Sequence, residues 1–559
     1  MKKRTFILLG LLLIAVCAFA QAPEWQWAAK AGGIEWDNGW SITIDTSGNL
    51  YVTGWFRDSA SFGSNILTSS GGDNIFVAKI SSDGNWLWAN SVSGSDDGWS
   101  CSITVDTSGS LYFTGGFEGT ANFGSTTLTS NGSGDIFVAK VSSDGSWLWA
   151  NNAGGNGWDR GRGISVDNFG DLYITGGFSG TASFDDIVLT SNGGYNDIFT
   201  AKMSSDGNWL WANNAGGNDW DLSKSITIDP SGNSYIIGYF YVTANFDDIT
   251  LTSNGDRDIF IAMMSSDGNW VWADNAGGND WDSGFSIAID NSGNLYVTGF
   301  FASTASFGPT TLTSSGGDDI FVAKMDLGGN WLWARSAGGS SVWDWSRCIT
   351  VDSSENLYIT GDFEGTASFG ETTLTSFGNG DIFVAKINSD GNWAWALNAG
   401  GISSDQSYGI TVDTFENLYV TGYFAGTASF GSTMLTSEGS GDIFVAKLNS
   451  SVFAENEISP TVNSLSNYPN PFNPTTTINY QLPEDSKVKL SIYNIKGQKV
   501  KILVNKILPA GEHSIIWDGK DSNGNRVSSG IYFYKMCLHP ESSGKAGDYR
   551  EVRKMVLLK

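Results

Sequence analysis

The spacing of apolar and polar positions shows no sustained helical period anywhere in the chain. Short runs rich in β-branched and aromatic residues alternate instead with clusters of Gly, Asp, Asn and Ser. Ser41–Asp45 and Leu50–Thr53 are separated by Thr46-Ser47-Gly48-Asn49, and Ile75–Ile80 and Asn85–Ala89 by Ser81-Ser82-Asp83-Gly84. Gly beside Asp or Asn tolerates positive φ, which is hairpin chemistry. The pattern therefore predicts two hairpins, or four antiparallel strands, within about sixty residues.

This pattern repeats. The phrase Asp-Ile-Phe-Val-Ala-Lys, or a near copy, begins at Asn74, Asp135, Asp197, Asp258, Asp319, Asp381 and Asp442, at intervals of 61 or 62 residues. Trp-x-Trp-Ala begins at Trp25, Trp86, Trp147, Trp209, Trp270, Trp331 and Trp393. Leu-Tyr-Val-Thr-Gly-x-Phe also recurs seven times, first at Leu50–Phe56 and last at Leu418–Phe424. Seven four-stranded units predict an all-β, seven-bladed β-propeller, with a linear solenoid as the competing architecture. The array opens with an unpaired Trp25-Gln26-Trp27-Ala28 and ends at Lys447 without such a strand. The N-terminal strand is expected to complete the last blade. The indoles of Trp86-x-Trp88 and its copies share one strand face and are expected to fill the space between blades.

With Asp-x-Ser-Gly-Asn-Leu-Tyr-Val-Thr-Gly and Asp-Ile-Phe-Val-Ala-Lys in fixed order, residues 25–450 resemble the bacterial β-propeller repeats called SBBP repeats. That resemblance implies fold and export context, and no single activity. After a polar stretch at 451–464, read as a linker, the composition changes. Tyr468–Pro474 is too proline-rich for a central strand, and alternating segments then run to Leu558. Six or seven strands in about ninety residues suggest a small Ig-like sandwich over 465–559. The motifs Tyr468–Pro474, Ser491–Gly497, Trp517-Asp518-Gly519 and Ser529–Tyr534 resemble the C-terminal sorting domain of type IX secretion cargo and the related flagellar hook-cap Ig-like module. The first resemblance implies the type IX machinery as a partner, passage through the outer membrane and removal of the tail. An ordinary adhesive or structural Ig-like domain is the alternative.

Residues 1–20 read as a signal peptide: Lys2, Lys3 and Arg4 precede an apolar run from Phe6 to Val16, and Ala18-Phe19-Ala20 supplies the cleavage site. Lipid attachment at Cys17 is disfavoured by Val16, which stands where a small residue is wanted. No later stretch is apolar enough to cross a bilayer. Only Cys101, Cys348 and Cys537 remain, too few and too scattered for a disulfide framework. Charge is uneven: residues 21–464 carry 14 basic and 50 acidic side chains, and 465–559 carry 14 and 8. An acidic body disfavours nucleic acid and anionic lipid as partners. These features lead to a secreted or surface-exposed chain, expected to be a monomer.

One recurring pair stands out in the longer connections: Trp36-Asp37, Trp158-Asp159, Trp220-Asp221, Trp281-Asp282 and Trp343-Asp344. The second and seventh repeats depart from it, with Asp97-Gly98 and Ser404-Asp405. An indole can stack on a sugar face while a carboxylate accepts its hydroxyls, and rigidly held aromatics also anchor proteins. Packing between repeats explains the same recurrence, so both readings stand. The only histidines, His513 and His539, lie in the tail, which excludes a His-based triad or a His-ligated metal from the repeats. The Asp-Gly turns hold too few carboxylates for calcium, no phosphate-binding motif is present, and no cofactor is expected. The expected function is a binding or interaction protein, for a glycan or a surface protein. A carboxylate-dependent glycan-active enzyme and a purely structural surface component are the alternatives.

Overall fold

The computed structural model describes residues 23–449, apart from 95 and 194, and 465–558, apart from 483–484, 496–497, 523 and 541–548. The expected signal peptide, Cys17 and the linker lie outside the described residues. The chain divides into two units, 1–452 and 453–559. Among the described residues every element is a β-strand.

In the first repeat Asp37–Ile44, Leu50–Phe62, Asn65–Ile80 and Trp86–Ser91 pair in that order, all antiparallel. The recurring phrases explain this meander. Asp45 closes the first turn by accepting N–H bonds from Ser47 at 2.8 Å and Asn49 at 2.9 Å, while Gly48 takes φ 82°. The hydroxyl of the buried Tyr51 donates to the same carboxylate at 2.9 Å. Tyr51 lies opposite Lys79, whose ammonium sits 5.1 Å from its ring centre. The Leu-Tyr and Ala-Lys phrases are thus halves of one cross-strand contact. Gly54 cannot carry a side chain, because a Cβ there would meet the Asn38 carbonyl oxygen at 1.9 Å.

The tryptophans link successive repeats in both directions. Trp86 donates its indole N–H back to the Lys30 carbonyl at 2.9 Å, and Trp88 donates forward to Ser143 at 3.2 Å. Trp27, Trp149, Trp211, Trp272 and Trp333 copy the forward bond. A second link comes from a Thr-x-x-Phe hairpin between the second and third strands. It pairs with the end of the preceding repeat, as at Gly154↔Ser183, Gly277↔Ser306, Gly338↔Ser368 and Gly400↔Ser429.

Gln406–Val412, Asn417–Phe424 and Asp442–Asn449 form three strands of one sheet, and the fourth is Glu24–Ala31 from the start of the chain. Its register sets Ala28 opposite Ala446. The first strands of successive repeats touch in sequence order from Asp37–Ile44 to Gln406–Val412, which touches Asp37–Ile44 again.

The second unit packs Leu465–Tyr468, Thr476–Leu482 and Gly511–Trp517 in one sheet and Lys499–Leu508, Ser486–Asn494, Gly530–Pro540 and Tyr549–Leu557 in the other. Trp517 is fully buried between them, with Ile478, Val488 and Tyr534.

Candidate functional site

The five Trp-Asp pairs divide at the peptide bond between their members. Every indole is exposed, from 41 % at Trp158 to 55 % at Trp343, whereas Asp37, Asp159, Asp221, Asp282 and Asp344 are fully buried. Asp221 accepts the Gly217 N–H at 2.6 Å with one oxygen and the Tyr241 N–H at 3.0 Å with the other. Asp159 does the same with Gly155 and Ser179, Asp282 with Gly278 and Ala302, and Asp344 with Gly339 and Glu364. Asp37 and the seventh repeat's Asp405 follow suit. The expectation that these carboxylates accept sugar hydroxyls is therefore corrected. Each pins the indole-bearing connection to a strand end about twenty residues on.

A second buried carboxylate lies beside each of these. A Cβ on Gly154 would sit 2.6 Å from Asp135 Cγ and 3.0 Å from Asp159 Oδ2. Gly32, Gly277 and Gly400 lie over the pairs Asp442/Asp37, Asp258/Asp282 and Asp381/Asp405 in the same way, all with φ between 145° and 153°. Burial pushes Asp221 up to about 8, and the charge of Asp197 adds to the rise. Asp159 rises to about 7 for the same reasons, with Asp135 as its neighbour. Sealed from solvent, these pairs cannot reach a glycosidic bond.

The first strands carry a feature of a different kind. Each has a β-bulge at its third or fourth residue, flanked by Gly, Ser or Cys. The bulged residues are Trp40, Cys101, Arg162, Lys224, Phe285, Arg347 and Tyr408. In repeats otherwise close to copies, no type but Arg occurs there twice. A bulge re-aims its side chain out of the pleat, and these side chains meet. Trp40 and Tyr408 lie 4.2 Å apart between ring centres. The Arg347 guanidinium lies 5.5 Å from the Tyr408 ring and 5.2 Å from that of Phe285, and Lys224 lies 5.7 Å from Phe285. Arg160 and Arg257 join them: Arg160 Nε is 3.1 Å from Cys101 Sγ, and Arg257 lies 4.6 Å from the Tyr239 ring and 5.1 Å from Trp281. Through Trp281 this group of cations and rings meets the exposed indoles. Burial, then repulsion from Arg162, Arg160, Arg257 and Arg347, holds the Lys224 ammonium well below its ordinary pKa.

Two family models match the chain: the β-propeller repeat SBBP over residues 395–423, and the FlgD Ig-like domain over 469–538. The chain joins β-propeller repeats to an Ig-like domain. A WD repeat-containing protein of Acanthamoeba polyphaga mimivirus is 24 % identical over 502 residues, 75 % of this chain; the chain spans a third of that protein's length. Among solved structures, PorZ of Porphyromonas gingivalis, a surface component of its type IX secretion system, aligns at 13 % identity over 93 % of this chain and 74 % of its own, with a TM-score of 0.26. A family 43 arabinoxylan arabinofuranohydrolase of Bacillus subtilis aligns at 11 % identity over 94 % and 96 %, with a TM-score of 0.28.

Within the propeller repeats, recurrence marks the Trp-Asp pairs and does not mark the bulge. The bulge carried the opposite signal, one variable position inside a fixed frame. Among the described residues, no group of three or more His, Cys, Asp or Glu side chains is placed to hold a metal, and no helix is long and apolar enough to cross a membrane.

Proposed function

We propose that this is an exported binding protein in which the repeats of residues 21–450 close into a seven-bladed propeller presenting an aromatic crown to a glycan. The observation that carries the reading is the set of exposed indoles at Trp36, Trp158, Trp220, Trp281 and Trp343, each fixed by a buried aspartate beside it. Exposed tryptophans on rigid loops are costly to leave in water unless a partner covers them, and an indole face suits the C–H face of a pyranose. The pairing of Glu24–Ala31 with Asp442–Asn449 supports closure. Residues 1–20 serve as the signal peptide and 451–464 as the linker. Residues 465–559 serve as a type IX sorting domain that takes the chain to the outer surface, a role supported by Ser491–Gly497 and Ser529–Tyr534.

A glycan array probed with the full chain tests the crown. Trp220→Ala and Trp281→Ala are each expected to weaken binding about tenfold or more; unchanged signals from both refute the assignment. Secretion of the chain by a type IX-competent host, with and without 465–559, tests the tail.

A further inference from the structure

We propose that the bulge residues form a binding site for an oxyanion, a carboxylate or sulfate group on the ligand. The inference stands apart from the glycan reading, because it rests on the bulges and not on the crown.

The first argument is charge. Residues 21–464 hold 14 basic side chains against 50 acidic, yet Arg160, Arg162, Lys224, Arg257 and Arg347 collect at one place. Among the described residues, Arg347 is ion-paired, to Asp362 at 2.9 Å, while Arg162, Lys224 and Arg257 make no salt bridge. Asp318 and Asp282 both lie close enough to Arg257 to feel its charge without pairing with it, and Asp318 accepts the Trp345 indole N–H at 2.9 Å. Gathering like charges out of water destabilises the fold, and apolar side chains of similar volume fill such a space without that cost.

The second argument is the donors. Arg162 Nε, Arg257 Nε and Trp40 Nε1 are buried and have no hydrogen-bond partner among the described residues. Buried N–H groups are almost always paired, and one left over costs about 1–3 kcal/mol. The aromatic rings do not relieve this. Tyr239 and Trp281 lie 4.6 Å and 5.1 Å from the Arg257 guanidinium, and a ring face does not supply the lone pair that an N–H donor takes. What Arg162, Arg257 and Trp40 lack is an acceptor for these N–H groups, and an oxyanion supplies negative charge and several acceptor atoms at once. The third argument is variation. Positions serving closure are nearly the same in every repeat, and the bulge is not, as expected where one ligand touches each repeat differently.

The test uses the full chain, with tryptophan fluorescence and calorimetry at constant ionic strength. The probes are sodium sulfate, a galacturonate trisaccharide and the neutral galactose trisaccharide. Sulfate is expected to perturb the indole emission, and the galacturonate oligomer to bind at least about tenfold more tightly than the neutral one. Arg162→Met and Lys224→Met are each expected to abolish the sulfate response. Lys224→Met should also melt higher than the parent without ligand, because repulsion is relieved; a merely structural lysine would give a lower melting temperature. Sulfate binding without galacturonate binding supports the site, and the glycan array alone then decides the crown. Neutral glycan binding that depends on Trp220 and Trp281, with no response to either anion, overturns the site and leaves the crown intact. Parent-like anion binding by both methionine variants also overturns it.

Discussion

The junction between the first and second repeats differs from the other six. Elsewhere a buried aspartate opens the Ile-Phe-Val-Ala-Lys strand, a second aspartate pins the next connection, and a glycine lies across both. At this one junction the three positions hold Asn74, Gly98 and Ser93, and the exposed indole is replaced by Asp97. Asp97 Oδ1 accepts the Asp73 N–H at 2.7 Å, so the connection is held by another bond. All four positions changed together. The difference teaches that carboxylate pair and glycine are one device, separable from the indole, because the seventh repeat keeps Asp381, Asp405 and Gly400 beside Ser404: the side chain that glycine excludes becomes tolerable once the carboxylates are gone.

Alkaline pH should break this comparison most widely, since it acts on six junctions at once. The folded pKa values are raised above the ordinary 3.8, to about 8 at Asp37 and Asp221, about 7 at Asp159 and Asp197 and about 6 at Asp442, by burial first and in most of them also by the facing carboxylate. The folded chain therefore binds these protons more tightly than the unfolded one. The stability they confer is complete below pH 3.8 and lost as pH rises through about 6 to 8. Melting curves should show the repeat unit most stable near the acidic end of that window and weakening steadily above it. Asp197→Asn, which copies Asn74, should flatten the dependence.

At a single junction, Asp221→Ala is expected to cost about 3 kcal/mol in chemical denaturation, because two buried N–H groups lose their acceptor together. Gly216→Ser should cost about 2 kcal/mol: the residue has φ 149°, and a Cβ would lie 2.6 Å from Asp197 Cγ. The reverse exchange at the exceptional junction, Ser93→Gly, should change stability by less than about 0.5 kcal/mol. Equal costs at the two sites would dissolve the distinction. A small effect of opposite sign belongs to the turns. Glu355 occupies the position that is glycine in Asp45-Thr-Ser-Gly48-Asn49 and takes φ 62°, so Glu355→Gly should stabilise by about 0.5–1 kcal/mol.

Much of this was legible in the sequence. Strand phrases, turn aspartates and the leftover Trp25–Ala28 follow from local chemistry and counting, and the observed pairings match them. The opposite orientations within each Trp-Asp pair follow from a simple rule: adjacent residues of an extended segment point to opposite sides, so an exposed indole at 220 places the carboxylate at 221 inward. The bulge was harder to see, because strand patterns carry no mark of one extra residue. The hairpin bonds to the preceding repeat, such as Gly154↔Ser183, are non-local and leave no local pattern.

The borrowed strand Glu24–Ala31 has a kinetic consequence. Its partner, Asp442–Asn449, is more than four hundred residues away, so it emerges after every other strand of the repeats during synthesis. Until then one sheet edge is unsatisfied and able to recruit strands from other molecules. A circular permutant that moves residues 23–31 to follow residue 449 would make this pairing local, and should refold faster and aggregate less during refolding.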